Sequence, residues 1–419
     1  MTELRGRALF LGPDPLPALG SGLPVICADG CGLHEGEGQG WESFTGPGIH
    51  SSATLLELPA VQQRLGAEAK ALVVWKSSAL VERLAKDIGV VVANSPSLIA
   101  RRIENKSYFS RSAEAAGLPV PPTRTGVAGR ELLRAARDLS RPLVFQLAHG
   151  YSGEKTYPVS SESELAELIH RYEGRSCRIS ERVLGTPVTV TGVVAKNRAV
   201  VGPACLQLTG LASLTPHQLG SCGNDYGRAV PQADEVHQVA VRAAEWLGRL
   251  GHLGVFGLDL VVSEDGAIRC IEVNPRLVAS VPLFSLSARD LGTPGILDHH
   301  LASFGMAEPI EQGLDCHWSQ LILYQRGQRV PDPEPTSARG SVSDSGVFRA
   351  TGELGLDGPG RGETALLIQT KSGPGKELAR IFWPGCCSAP DGSLLPQLEA
   401  LAVRLRFQLE APIGSSSVS

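Results

Sequence analysis

GVFGLDLVVSEDGAIRCIEVNPR, residues 254–276, is the stretch whose reading decides the fold. Phe256 to Val262 alternates and is rich in β-formers, Glu264-Asp265-Gly266 is a hairpin signal, and Ala267 to Val273 resumes an extended apolar pattern. Asp259 and Glu272 sit on the two arms. Asn274 follows two residues later, so period 2 puts Glu272 and Asn274 on one face of their strand. If the arms pair, Asp259 lies across from them and three oxygen donors share one side of a sheet. Hard donors of this kind suit Mg²⁺ held jointly with substrate phosphates. Arg276 offers a planar cation beside them, fit for phosphate or acyl-phosphate oxygens. The plainer alternative is a surface hairpin with its carboxylates in water. The apolar neighbours Leu258, Leu260, Ile271 and Val273 weigh against it, because strands buried on one face need a partner that tolerates charge on the other.

At 419 residues the chain has room for two or three domains and a substantial core. A hydrophobic fraction of 42% and a charged fraction of 20% are those of an ordinary globular protein. The net charge of −4 gives no reason to expect nucleic acid or an anionic membrane as partner. No apolar run approaches a membrane span, and MTELRGRALF lacks a signal peptide's apolar stretch, so a cytoplasmic location is expected. Nine scattered cysteines without a C-x-x-C read as free thiols in a reducing compartment. Cys222 would be reactive only if a cation lowered its pKa.

Residues 1–95 alternate short apolar strands (7–11, 23–27, 71–75, 90–93) with an amphipathic helix over 78–88, and 29–53 reads as loop. The pattern predicts a doubly wound parallel sheet. No G-x-G-x-x-G follows the first strand, so a dinucleotide is not supported, but the strand ends are suited to lining a substrate pocket. Ser95 and Pro96 open one helix that runs to Gly117. A strand over 141–146 enters the loop His149-Gly150-Tyr151-Ser152-Gly153-Glu154-Lys155, whose backbone N–H groups are suited to phosphate oxygens or form a plain turn. Strands are expected over 177–184 and 186–194, and a polar, glycine-rich loop over 202–228 in which Asn224 and Asp225 stand out. A helix from Asp234 to Leu250 leads into the hairpin. A helix follows Arg276, and His299-His300 in it are read as structural. The region after residue 310 is β-rich, closing on a helix after Pro396.

The hairpin, with Asp259 upstream and its closing E-x-N-x-R as Glu272, Asn274 and Arg276, resembles the metal-binding hairpin of the ATP-grasp superfamily. Lys106 followed by AAGLPVPP, the glycine loop, and Glu181-Arg182-Val183-Leu184 resemble the same superfamily's nucleotide lysine, phosphate loop and hinge, in family order. The resemblance implies that Lys106, Gly150, Ser152, Gly153 and Lys155 contact phosphates. It also implies that the hinge backbone holds adenine with help from Glu181, and that Asp259, Glu272 and Asn274 hold the metal. Two departures stand out. Gln146 occupies the place of a second lysine and brings no charge, with Lys155 the nearest replacement in sequence, and a ribose carboxylate expected near Val188 is absent.

The implied architecture is mixed α/β and α+β: an N-terminal doubly wound domain (1–95), two ATP-grasp lobes (96–184 and 185–310) and a β-rich C-terminal subdomain (311–419). The implied activity is an ADP-forming ligase that makes an acyl phosphate from a carboxylate with Mg-ATP and joins it to an amine, with Arg276 stabilising the acyl phosphate. Amino-acid or peptide ligation is the first choice. A biotin-carboxylase-like enzyme and a lapsed nucleotide-binding module are the alternatives. The expected cofactors are ATP and Mg²⁺, with Mn²⁺ as a substitute. The expected partners are a small carboxylate and an amine, with a homodimer left open.

Overall fold

A computed structural model describes residues 8–28, 33, 40–44, 48–150, 155–196, 198–326, 337–369 and 375–410. The first sheet is parallel, with β1 (Ala8–Leu11), β2 (Val25–Ala28), β3 (Trp41–Phe44), β4 (Ala71–Val73) and β5 (Val91–Val92) in the order β3-β2-β1-β4-β5. The order of strand addition reverses between β1 and β4, which pair in parallel, so a crevice opens at their carboxyl ends. The strand β3 lies inside the stretch read as loop. It is a four-residue edge strand with no fully buried side chain, paired in parallel to β2, so its sequence carries little apolar signal. The helix over Ala79–Asp87 starts where expected, with Ser78 Oγ accepting from Val81 N at 3.2 Å.

The single helix expected over 96–117 is two helices, Ser97–Glu104 and Lys106–Ala115. Asn105 between them is extended, and its Oδ1 accepts from Tyr108 N at 3.0 Å. The break makes Lys106 the first residue of a helix. A cation is unfavourable at that end of the dipole, so its placement needs a carboxylate opposite. A four-stranded antiparallel sheet follows, with β6 (Thr123–Val127), β7 (Leu143–Leu147), β8 (Thr156–Val159) and β9 (Ser176–Glu181) in the order β6-β9-β7-β8.

The remaining strands share one antiparallel sheet: β10 (Gly185–Val194), β11 (Ala199–Thr209), β12 (Ser221–Asp225), β13 (Gly254–Ser263), β14 (Ile268–Asn274), β15 (Trp318–Tyr324), β16 (Ser337–Val342), β17 (Phe348–Glu353), β18 (Thr364–Ile368) and β19 (Glu377–Pro384). Their order is β14-β13-β10-β11-β12-β15-β19-β18-β16-β17. Much of 202–228 is therefore strand. Its glycines hide this because Gly202 and Gly223 are points of close approach, where a Cβ would lie 2.7 Å from Phe284 and 2.4 Å from the Gln320 carbonyl. The helix Ala233–Arg249 buries its apolar face chiefly against β11 and β10, forming a core with Phe109, Phe256 and Leu258.

After Arg276 the chain makes two helices, Val281–Leu291 and Ile296–Ser303, separated by left-handed Gly292. His300 is buried in the second and joins two sheets. Its Nδ1 accepts from Val255 N at 3.1 Å, and its Nε2–H donates to Ala93 O at 2.6 Å. Gly254 has φ +89°, and a Cβ there would sit 2.6 Å from the His300 ring, which is why glycine opens β13. The closing helix is Pro396–Leu409. Among the described residues no helix is long and apolar enough to cross a membrane.

Candidate active site

Register settles how the hairpin presents its side chains. Asp259 pairs directly with Glu272 and Gly257 with Asn274, with a bulge just after Asp259. The two carboxylates and the amide therefore share one face, as period 2 requires. Asp259 Oδ1 accepts from Thr189 Oγ1 at 2.7 Å and from Gln207 Nε2 at 2.8 Å, while Asn274 Nδ2 reaches Oδ2 at 3.4 Å. Burial first, and then the neighbouring Glu272 charge, raise the Asp259 carboxyl from its ordinary value to about 6. Burial would raise Glu272 as well, but Lys106, Arg178 and Arg276 overcome it and hold that carboxyl below its ordinary value.

Lys106 supplies the nearest cation. Its ammonium lies 2.6 Å from Glu272 Oε2 and 3.4 Å from the Gly150 carbonyl, with only 5% of the residue exposed. Two like charges facing each other under partial burial form a donor set that a divalent cation would relieve. Among the described residues no group of three or more His, Cys, Asp or Glu could enclose a metal alone. Two carboxylates and one amide therefore fit Mg²⁺ in its usual manner, with water and phosphate oxygens completing the shell.

Above the hairpin is a cavity of about 460 Å³ between the four-stranded sheet and the long sheet. Lys106, Gln146, Gly150, Asp259 and Glu272 line one end, and Glu181 to Leu184 line another. Glu181 turns its carboxylate onto the Ser140 N–H at 2.7 Å, tying the loop before β7 to the hinge. Tyr151, Ser152, Gly153 and Glu154 of the glycine loop lie outside the described residues. Lys155, just past them, is exposed with a left-handed backbone, φ 58°.

Sequence reasoning missed three groups of the site, two of which, Arg178 and Gln207, line the cavity. The first is Arg178 on β9, which pairs in register with Gln146 on β7. Its Nε donates to Gln146 Oε1 at 3.0 Å, and Nη2 donates to the same oxygen. Nη1 donates to Ile271 O at 2.8 Å and Ser110 Oγ at 3.2 Å. Only 2% of Arg178 is exposed, and burial lowers its pKa to about 10, which leaves it cationic at neutral pH. The charge that Gln146 lacks thus stands one strand away. Alternation within Cys177-Arg178-Ile179-Ser180 put Arg178 and Ser180 on the face opposite the apolar pair, which was the available signal. The other two are Thr189 on the adjoining strand β10 and Gln207 on β11 beyond it, which both hold Asp259.

Arg276 faces the N-terminal sheet. Its Nε lies 2.9 Å from Glu104 Oε1, Nη2 donates to Asn274 Oδ1 at 2.9 Å, and the guanidinium lies 5.4 Å from the Trp75 ring centre. Asp225 is structural. Its Oδ2 accepts from Cys387 N (3.1 Å), Ser388 N (2.8 Å) and Ser388 Oγ (2.6 Å), anchoring the 386–388 turn. Asn224 is likewise committed, accepting from Gln320 Nε2 at 2.8 Å. Burial pushes the Cys222 thiol up to about 12, and no cation offsets it, so this thiol is not a nucleophile.

A family model for the ATP-grasp domain matches residues 103–280, from the helix before Lys106 to just beyond the hairpin. The chain carries an ATP-grasp domain. Its fold resembles N5-carboxyaminoimidazole synthase from Aspergillus clavatus, solved with ADP and 5-aminoimidazole ribonucleotide (TM-score 0.58, 16% identity, 91% of this chain and 95% of that one). It also resembles a biotin carboxylase–β-γ-ATP complex from Campylobacter jejuni (0.60, 14%, 92% and 89%) and phosphoribosylamine–glycine ligase from Thermotoga maritima (0.58, 16%, 96% and 97%). In sequence, 187 residues are 22% identical to the arginine-specific large chain of carbamoyl phosphate synthase from Geobacillus stearothermophilus, covering 44% of this chain and 17% of that protein. The chain thus spans less than a fifth of that relative's length. The mixed α/β fold is that of these ATP-grasp structures, and nucleotide-bound structures of this fold hold ADP, MgADP or β-γ-ATP.

Proposed function

We propose that this protein is an ADP-forming ligase that activates a small carboxylate as an acyl phosphate with Mg-ATP and passes the acyl group to an amine. The observation that carries the reading is the Asp259–Glu272 register over a cavity that also holds Lys106 and Arg178. Phosphoryl transfer asks mainly for positioning and charge neutralisation, and these groups supply both without an enzyme nucleophile. Asp259, Glu272 and Asn274 would hold Mg²⁺, which neutralises phosphate charge when bound. Lys106 and Arg178 bring positive charge to the cavity. Glu181 to Leu184 line the end suited to the adenine, and Arg276, joined to Asn274 through Nη2, would stabilise the acyl phosphate. The presence of Arg178 favours an intact nucleotide site over a lapsed one.

An amino acid or peptide is the substrate class we favour, and the likeness to a phosphoribosylamine–glycine ligase supports it. The likeness to N5-carboxyaminoimidazole synthase and biotin carboxylase supports a second reading, in which a carboxylating enzyme uses bicarbonate as the carboxylate. ADP release over amino acids and dipeptides, singly and in pairs, with and without bicarbonate, separates the two. Turnover that needs bicarbonate and no amino acid would replace the first reading with the second. ATP binding with no ADP release under any pairing would remove both.

A further inference from the structure

A shallow basin of about 400 Å³ opens where the helices Ser97–Glu104 and Lys106–Ala115 meet, and it shares no lining residue with the hairpin cavity. Leu98, Arg101 and Arg102 recur at i, i+3 and i+4, so the first helix presents them together, and the second adds Tyr108 and Arg111 three residues apart. Arginines on an exposed helix face are ordinarily solvated surface. Here three of them line one concavity, and among the described residues no carboxylate lines it with them.

Arg124, Arg137, Arg289, Arg339 and Arg406 each face a carboxylate, whereas among the described residues Arg101, Arg102 and Arg111 form no ion pair. Glu104, on the same helix as two of them, is engaged by Lys76 and Arg276 instead. Two of the three guanidiniums are nevertheless held in place, by uncharged partners. Arg102 lies over the Tyr108 ring, 4.5 Å from its centre, and Arg111 Nη1 donates to Thr125 Oγ1 at 3.1 Å. Such partners orient the planar forks without neutralising them. His149 also lines the basin and registers its field. Burial first, and then the Arg101 charge, lower the His149 pKa, with Lys76 and Lys106 adding to the effect and Glu104 opposing it. The imidazole is therefore neutral at pH 7 and accepts from Asn105 Nδ2, 3.3 Å from its Nε2, so the basin's charge is that of its arginines.

We propose that this basin is a second anion site, separate from the nucleotide cavity, which binds a small phosphate-bearing compound through the guanidiniums of Arg101, Arg102 and Arg111. Three forks ask for several oxygens and more than one negative charge, which a phosphomonoester or a pyrophosphate carries. A lone carboxylate has a single charge and two oxygens, enough for one fork, and leaves the other two unanswered. The volume suits a ligand of sugar-phosphate size. The site does not rest on the ligase reading, since none of its residues belongs to the metal hairpin or lines the cavity above it.

The test is calorimetric titration of pyrophosphate, ribose 5-phosphate and acetate, each with and without excess ADP, into the full-length wild type, Arg102→Gln and Arg111→Gln. Both arginines are exposed, so both variants are expected to fold, which thermal melting checks. The buffer is metal-free, to leave pyrophosphate uncomplexed, and holds salt at about 0.15 M, where a Debye length of about 8 Å screens a loose counter-ion cloud. At least one phosphate compound should bind the wild type at least tenfold more tightly than acetate, and excess ADP should leave that binding in place. Each variant should weaken it at least tenfold and keep Mg-ADP affinity within twofold. Preference for pyrophosphate or for ribose 5-phosphate tells a polyphosphate from a phosphomonoester, and either upholds the site. The proposal is overturned if ADP displaces all phosphate binding, if acetate binds equally well, or if both folded variants keep full affinity. Phosphate binding with the expected variant losses, in a protein that binds no ADP and no Mg-ADP, would uphold the basin and end the ligase reading instead.

Discussion

Exchanging the cation between β7 and β9 probes the nucleotide site most sharply. Arg178→Met removes the guanidinium that faces Gln146 and leaves Gln146 Oε1, Ile271 O and Ser110 Oγ without that donor. Each buried group left unsatisfied costs about 1–3 kcal/mol, and Ser110 Oγ keeps its bond to Lys106 O, so the single variant should lose about 2–6 kcal/mol of stability from the other two. For the nucleotide, a unit charge about 5 Å from a phosphate at an effective dielectric near 20 is worth about 3 kcal/mol, or roughly a hundredfold in affinity. Gln146→Lys alone should also fail, because the new ammonium meets Arg178 and removes the oxygen that accepts two of its N–H groups. The double variant Gln146→Lys/Arg178→Met puts one cation back on the neighbouring strand. Its Mg-ADP affinity should return to within about tenfold of wild type. Calorimetric titration of Mg-ADP into all four proteins, each checked by thermal melting, is the assay. A folded Arg178→Met that binds Mg-ADP as tightly as wild type would refute the assignment. So would a folded double variant no better than Arg178→Met.

The hairpin carboxylates should separate activity from stability. Asp259→Asn should abolish ADP release, yet raise the melting temperature of the metal-free protein. Holding this carboxyl ionised at neutral pH, with its pKa raised to about 6, costs up to about 3 kcal/mol. Glu272→Gln should abolish activity and lower the melting temperature, since Lys106 and Arg178 lose a buried counter-charge. Burial depresses the folded-state pKa of His300 to about 4, so its contribution is fully present above the unfolded value near 6.5 and is lost as pH falls toward 4. Denaturant titrations across that window should show about 3 kcal/mol lost from this residue, and a flat profile would sink the claim. Asp225→Asn removes a carboxylate that accepts several hydrogen bonds from 386–388 and should cost about 2–4 kcal/mol with the KM for ATP unchanged. A raised KM would show that the turn reaches the nucleotide.

The hairpin was legible because two periods agreed: the alternation that makes each arm a strand also fixes the face on which Asp259, Glu272 and Asn274 meet. The break at Asn105 was not, since IARRIENKSYFS keeps an amphipathic pattern straight through it, and only the extended backbone at Asn105 shows the interruption. Arg178 was hidden for a different reason. It is 32 residues from Gln146, and no local pattern fixes the register that places them opposite each other. Trp41–Phe44 escaped because an edge strand without buried side chains leaves no alternation to read. That the strands after residue 310 continue the hairpin's own sheet was also not visible, because strand order is set by long-range pairing rather than by local propensity.

This shared sheet has a practical consequence for protein engineering. β12 pairs with β15 across Gly223–Leu321 and Asp225–Ser319, so the last quarter of the chain covers what would otherwise be a bare edge. A truncation near residue 310 would expose that row of amides and carbonyls, inviting intermolecular strand addition and aggregates rather than a trimmed but working enzyme.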